Sequence, residues 1–148
     1  MPIKLTVKQV KLWVFHGGDR KGLLADALEP LAAAGVHLQV VMAYRFPTEL
    51  DRAAIEVFPI DGPTAEAEAR RIGFVVSDTP CLLVEGDDRR GLGARLARAI
   101  SDAKVSMAFM MAQVVGKKFS AALGFASEED AATAAKAIGV VARTKEKD

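Results

Sequence analysis

Two short loops of almost the same composition are the segments of this chain best suited to chemistry. The first reads GGDRKGL from Gly17 to Leu23, and the second reads GDDRRGL from Gly86 to Leu92. Each stands between an apolar run and a run whose apolar residues recur at helical spacing. A glycine-bearing loop that leads into a helix presents free N–H groups and the positive end of the helix dipole, and both favour an anion. The chemistry that these residues indicate is binding of a carboxylate.

The loop residues also have structural roles that compete with ligand binding. Gly22 and Gly91 lack a Cβ, so they permit either close approach of a ligand to the backbone or simply a tight turn before the helix. Asp19 and Asp88 are predicted to cap the helices that follow rather than to contact a ligand. The arginine after each aspartate is predicted to face solvent.

The two loops are parts of an internal duplication. With Asp19 aligned to Asp88, one register holds through loop, helix and strand before it slips by a few residues. Each copy shows the order strand, helix, strand, strand, helix, strand. The aligned pairs are Gly17 with Gly86, Arg20 with Arg89, Gly22 with Gly91, Leu23 with Leu92, Ala25 with Ala94, Ala34 with Ala103 and Val36 with Val105.

This order predicts an α+β protein of two tandem ferredoxin-like βαββαβ repeats, each an antiparallel sheet with helices on one face. The predicted domains are residues 1–78 and 79–148, and the N-terminal run MPIKLTVKQVKLWVF is predicted to be the opening strand. In the second copy, AIGV ending at Val140 takes the place of RIGF ending at Phe74, so a last strand is expected after both.

Local signals predict where several helices begin. Asp61 as a cap and Pro63 near the first helical position predict a short helix that stops at Gly73. Ser127 predicts the start of the last helix. Pro30 falls inside the first predicted helix, where its missing N–H is expected to produce a kink.

Composition excludes several classes of protein. The 148 residues are 51% hydrophobic, enough for a packed core, and a formal charge of +1 gives no global attraction to nucleic acid or to an acidic membrane. The single cysteine, Cys81, excludes a disulfide framework and agrees with a cytoplasmic location. The longest nearly uncharged stretch, Val105 to Val115, is too short to span a membrane, and the opening residues lack a secretory cleavage site.

The order of strand, Asp-Arg-x-Gly-Leu loop, amphipathic helix ending in AGVHL, hairpin and second helix resembles the ACT domain, the regulatory module named for aspartate kinase, chorismate mutase and prephenate dehydrogenase. Both copies fit, over roughly Val10 to Ser77 and Cys81 to Arg143, so the chain resembles a stand-alone tandem ACT protein. The resemblance implies a regulatory sensor that binds an amino acid or a related metabolite where the loop meets a neighbouring ACT unit. It also implies side-by-side pairing of units into an eight-stranded sheet, a homodimer and a regulated enzyme partner.

The resemblance assigns ligand binding to the two loops and to the start of each second strand. Many members of the family have an asparagine there, and His37 and Ser106 stand in its place in this chain. Lys21 and Arg90 replace a proline that often precedes the loop glycine, which favours a mobile loop or a ligand with additional negative charge. The expected ligand-binding residues are Asp19, Arg20, Gly22, Leu23 and His37 in the first copy, and Asp88, Arg89, Gly91, Leu92 and Ser106 in the second.

No catalytic residue, metal site or cofactor is predicted. The βαββαβ arrangement also carries catalysis in acylphosphatases, but the sequence has no matching arginine and asparagine set, no phosphate-binding loop motif and no nucleophile elbow. Cys81 has no local His or Asp pattern of an activated nucleophile. The alternative to a sensor is a protein–protein interaction module of ACT fold that has lost its ligand.

Overall fold

The structure, a computed structural model, describes residues 3–144, so the outermost residues of the two predicted domains, 1–2 and 145–148, lie outside the described residues. These residues form two compact units, each with a four-stranded antiparallel sheet and two helices. We call residues 11–78 the central unit, and residues 3–10 with 79–144 the composite unit. The elements are β1 (Leu5–Val10), β2 (Trp13–Gly18), α1 (Leu23–Ala33), β3 (Val40–Arg45), β4 (Arg52–Phe58), α2 (Pro63–Ile72), β5 (Val75–Val76), β6 (Cys81–Asp87), α3 (Leu92–Asp102), β7 (Met107–Val115), β8 (Lys118–Phe125) and α4 (Glu128–Arg143).

The central unit has the strand order β3-β4-β2-β5. Pairing of Trp13 with Val57 places both side chains on one face of the sheet, since directly opposed residues share a face. They join Leu31 of α1 and Ala69 of α2 in one buried cluster. The predicted hairpin is confirmed, because β3 and β4 are antiparallel neighbours.

The composite unit has the strand order β1-β6-β8-β7. Its edge strand β1 pairs antiparallel with β6, from Leu5 opposite Gly86 to Val10 opposite Cys81. The N–H of Ile3 donates to the carbonyl of Ala142 at 3.0 Å, and the side chain of Ile3 is buried in the core of this unit. The N-terminal segment is therefore part of the sheet formed by the second repeat.

The sequence predicted that the N-terminal strand opens a first domain of residues 1–78, whereas β1 lies in the sheet of the composite unit.

A last strand after AIGV was also predicted in the second copy, and that prediction is wrong, because α4 continues through these residues to Arg143. Burial of Ala134, Ile138 and Val141 at helical spacing holds this segment in α4, and Gly139 lies inside it. In the first copy the corresponding turn ends at Gly73, whose φ of 119° stops α2. β1 occupies the position of the missing fourth strand.

The α+β class and the two antiparallel sheets are confirmed. The prediction for the last helix is also confirmed, since the N–H of Asp130 donates to Ser127 Oγ at 3.0 Å. The prediction that Asp61 caps α2 is wrong, because Gly62 occupies the N-cap position and no side chain bonds there. Pro30 lies within α1, and the expected kink stays a prediction.

The fit of β1 against β6 depends on Gly86. A Cβ at this position would lie 1.9 Å from the carbonyl oxygen of Lys4, a contact that backbone atoms do not allow. We expect Gly86→Ala to displace β1, to lower the free energy of unfolding by roughly 1–3 kcal/mol and to accelerate amide exchange across Leu5–Val10. Exchange in β1 as slow as in the parent protein would show that the strand is not held by this contact.

Candidate functional site

The first loop forms part of a cavity of about 310 Å³ within the central unit. Residues 19, 20 and 22–25, from the loop into the first turn of α1, line it together with residues 43–45 of β3 and 53–55 of β4. Four of the predicted ligand-binding residues, Asp19, Arg20, Gly22 and Leu23, thus lie around one cavity. Lys21 is exposed and does not line it.

The start of α1 supplies free hydrogen-bond donors to this cavity. Gly22 is the N-cap residue and has a φ of 83°, in the left-handed region, and no side chain caps the helix. The N–H groups of Leu24 and Ala25, in the first helical turn, have no partner within the helix by geometry. The N–H of Asp26 already donates to the carbonyl of Gly22 at 2.9 Å. The helix start therefore favours a small anion in the cavity.

Asp19 has a different role from the predicted helix cap. Its Oδ2 accepts a hydrogen bond from Nε of Arg45 at 2.8 Å, while its N–H donates to the carbonyl of Asp51 at 2.6 Å. Because Gly22 occupies the N-cap position, the carboxylate of Asp19 is left to hold Arg45, which the sequence patterns did not single out. The capping prediction for Asp19 is wrong, and the residue instead fixes a guanidinium at the rim of the cavity.

Arg20 is a second guanidinium at the same cavity. Its Nη2 lies 2.6 Å from Oδ2 of Asp26, and its side chain is 56% exposed. The prediction that this arginine faces solvent holds for about half of its surface, while the ion pair with Asp26 keeps the charge beside the first turn of α1. Such a partly exposed pair stabilises the fold little, so a ligand can compete for it at low cost.

Tyr44 joins this cavity to a buried carboxylate. Its hydroxyl donates to Oε2 of Glu56 at 3.1 Å, and Glu56 is only 6% exposed. Burial, the charge of Glu56 and this hydrogen bond raise the pKa of Tyr44 to about 12. The phenol therefore remains a neutral donor across the physiological range. Sequence reasoning missed both residues, although a glutamate within the apolar run AAIEVF was a signal that could have marked the position.

The second loop repeats the backbone of the first within the composite unit. Gly91 is the N-cap residue of α3, with a φ of 75°, and no side chain caps this helix either. The N–H of Leu92 donates to the carbonyl of Arg89 at 3.0 Å, as that of Leu23 donates to Arg20 at 3.2 Å. The duplication recognised in the sequence is thus a duplication of loop conformation.

The side chains of the second loop are used differently. Asp88 does not cap α3, so this prediction is also wrong, and its N–H donates to the carbonyl of Lys117 at 2.9 Å. Arg89 donates from Nη1 to the carbonyl of Asp88 at 2.9 Å. Leu92 is 1% exposed and belongs to the hydrophobic core, so its side chain has no free surface to offer a ligand. Asp87 pairs with Lys118 at 2.6 Å, which lowers the pKa of the Asp87 carboxyl.

His37 and Ser106 are exposed, and neither lines the cavity of the first loop. His37 lines another cavity of the central unit, about 480 Å³ in volume, between the end of α1 and the start of α2. Ser106 immediately precedes β7 in the composite unit. Their predicted part in ligand binding stays a prediction.

Within residues 3–144, no group of three or more His, Cys, Asp or Glu side chains is arranged to hold a metal ion. Over the same range, no helix has both the length and the apolar character needed to cross a membrane.

No protein-family model matches the sequence, and no curated protein matches it either. Solved structures do match its fold. Protein BT0572 from Bacteroides thetaiotaomicron has a TM-score of 0.73 at 15% identity, with 88% of each chain covered. The ligand-free regulatory subunit of aspartate kinase from Thermus thermophilus has a TM-score of 0.65 at 12% identity, with 95% of this chain and 99% of that chain covered. Aspartate kinase from Synechocystis has a TM-score of 0.65 at 16% identity, and the match covers 99% of this chain and 28% of the kinase chain.

At identities of 12–16%, the similarity shows that the chain shares the fold of these structures. They include regulatory subunits of aspartate kinase, one of the enzymes for which the ACT domain is named, and they match nearly the full length of both repeats. The predicted tandem ACT fold is confirmed.

Replacement by alanine is expected to have opposite effects on stability at two glycines near the start of α3, Gly91 and Gly93. Alanine at Gly91 must adopt a positive φ, so we expect Gly91→Ala to lower the free energy of unfolding by about 1–2 kcal/mol. Gly93 lies inside α3, has no positive φ and has open space around it, so Gly93→Ala is expected to raise stability by about 0.5–1 kcal/mol. Chemical denaturation of the two variants tests this; shifts of the same sign would contradict the assigned loop conformation.

Ionisation of Tyr44 can be followed directly by ultraviolet absorbance, because it is the one tyrosine in the sequence. We expect half-ionisation near pH 12 in the folded protein. An unfolded tyrosine ionises near pH 10, so the unfolded state loses its proton first and stability falls as pH rises from about 10 to about 12.

Glu56→Gln removes the charge of Glu56 but leaves the burial of Tyr44, so the pKa is expected to fall and to stay above the ordinary value. In Tyr44→Phe, the part of the fall in stability between about pH 10 and about pH 12 that comes from ionisation of Tyr44 is expected to disappear. Ordinary titration of Tyr44 near pH 10 in the parent protein would contradict the contact with Glu56.

Proposed function

We propose that this protein is a non-enzymatic regulatory sensor, which binds an amino acid or a related small metabolite at its ACT units and transmits the bound state to a partner enzyme. The observation that carries the proposal is the cavity beside Gly22, where an uncapped helix start and the Asp19–Arg45 pair meet. The similarity of fold to regulatory subunits of aspartate kinase supports a regulatory rather than a catalytic role.

The arrangement suits the head group of an amino acid. A ligand carboxylate can accept hydrogen bonds from the N–H groups of Leu24 and Ala25 and gain from the helix dipole. Oδ1 of Asp19 is available to an ammonium group, since only Oδ2 bonds to Arg45. Both charges of an amino acid thus find partners around a cavity of about 310 Å³.

We place the protein in the cytoplasm as a homodimer. Its single cysteine, Cys81, is buried, and one cysteine without a partner for an internal disulfide is compatible with reducing conditions. The edge strand β7 has no charged residue and exposes the apolar side chains of Met110, Met111, Val114 and Val115. Edge strands without charge or proline are prone to pair with another strand, so β7 is a suitable surface for side-by-side pairing of two sheets. A sensor also needs two arrangements with different ligand affinity, and such an interface can supply them.

The same β7 surface is the observation that favours the second candidate, a protein–protein interaction module without a ligand. In that case β7 would bind a partner protein and the loop cavity would have no regulatory part.

Thermal unfolding in the presence of each common amino acid separates the two candidates. A ligand at about 100 times its dissociation constant is expected to add roughly 2.7 kcal/mol of stability. We expect this stabilisation to persist in Gly22→Asn, because asparagine tolerates a positive φ, and to be lost in Gly22→Val, because a β-branched residue does not.

The folded state of both variants is confirmed by circular dichroism before ligand is added. Stabilisation by an amino acid that is equal in parent and Gly22→Val would remove the first loop as the site. An absence of stabilisation with every amino acid would favour the interaction module.

A further inference from the structure

The charges around the first-loop cavity are unequal. Two arginines, Arg20 and Arg45, line it, but among its lining residues only Asp19 is acidic. Asp26 pairs with Arg20 at 2.6 Å but does not line the cavity. A ligand carboxylate that takes the place of Asp26 therefore meets lining residues with one net positive charge, to which the helix start adds its partial positive charge. A neutral amino acid has no second carboxylate to take the place of Asp26, so Arg20 keeps its ion pair.

Each arginine is held in place while part of its guanidinium remains available. Arg45 donates from Nε to Asp19, so its two Nη groups are left for a bidentate contact with a carboxylate. Arg20 bonds from Nη2 to Asp26, a residue of α1 that does not line this cavity. Side-chain exposures of 56% for Arg20 and 59% for Arg45 leave both guanidinium groups accessible to a ligand.

We propose that the first loop selects an acidic α-amino acid, aspartate or glutamate, with one carboxylate bound by Arg45, the other by Arg20 and the start of α1, and the ammonium group by Asp19. This inference rests on the proposed function and specifies its ligand class. Two carboxylates and one ammonium group give the ligand a charge of −1, which matches the net positive charge of the lining residues once the ligand displaces Asp26 from Arg20. Arg45 is the specificity-determining residue, and Asp19 both positions it and receives the ammonium group.

Isothermal titration calorimetry of the full chain with aspartate, asparagine, glutamate and glutamine tests this selection, because each acid and its amide have nearly the same shape. We expect one of the acids to bind at least tenfold more tightly than its amide, as a hydrogen-bonded charge pair contributes more than a neutral contact. Equal or tighter binding of the amide would overturn the inference.

Arginine variants assign the effect to the cavity. In Arg45→Gln we expect the acid-to-amide affinity ratio to fall close to one, and in Arg20→Gln to fall in part. Arg98→Gln is the matched control, because it changes the net charge equally at an exposed residue of α3 in the composite unit. An unchanged ratio in Arg45→Gln, or the same loss in Arg98→Gln, would overturn the role of Arg45.

Different results overturn the selection of an acidic ligand and the sensor role. Binding of a neutral amino acid that depends on Gly22 but not on Arg45 would overturn the selection of an acidic ligand and leave the sensor proposal intact. Failure of all amino acids to bind would overturn both.

Discussion

The left-handed turn at Gly22 is the constraint on which the candidate site depends. With a φ of 83°, it turns the chain from β2 into α1 without a capping side chain, so the first N–H groups of the helix stay available. The same turn places Asp19 outside the cap position, and its carboxylate holds Arg45 of β3 instead. One backbone conformation therefore exposes the helix start and, through Asp19, fixes the cation beside it.

The second constraint is the pairing of β1 with β6, by which a segment that precedes the first repeat completes the sheet of the second. β1 completes the sheet of the composite unit, while β2, only two residues further on, is a central strand of the other unit. The first loop follows β2 directly.

Much of this fold follows from local sequence patterns, and the rest depends on contacts between distant residues. Repeated residues at one offset revealed the two loops, and Ser127 marked the start of α4. Two runs rich in β-forming residues, VHLQVVMAY and AAIEVF, on either side of the polar turn FPTELD indicated the β3–β4 hairpin. The partner of β1 was missed because strand pairing across the whole chain leaves no local signal. Arg45 was missed because it meets Asp19 from 26 residues away, and the local pattern at Asp19 is also that of a helix cap.

The most direct test of the central claim is nuclear magnetic resonance of backbone amides during titration with aspartate and with glutamate. If the first loop is the binding site, the largest chemical-shift changes fall on residues 19–25 and 43–45 and saturate together with a single dissociation constant. Saturable changes confined to other residues, with the amides of Gly22, Leu24 and Ala25 unmoved, would contradict the account.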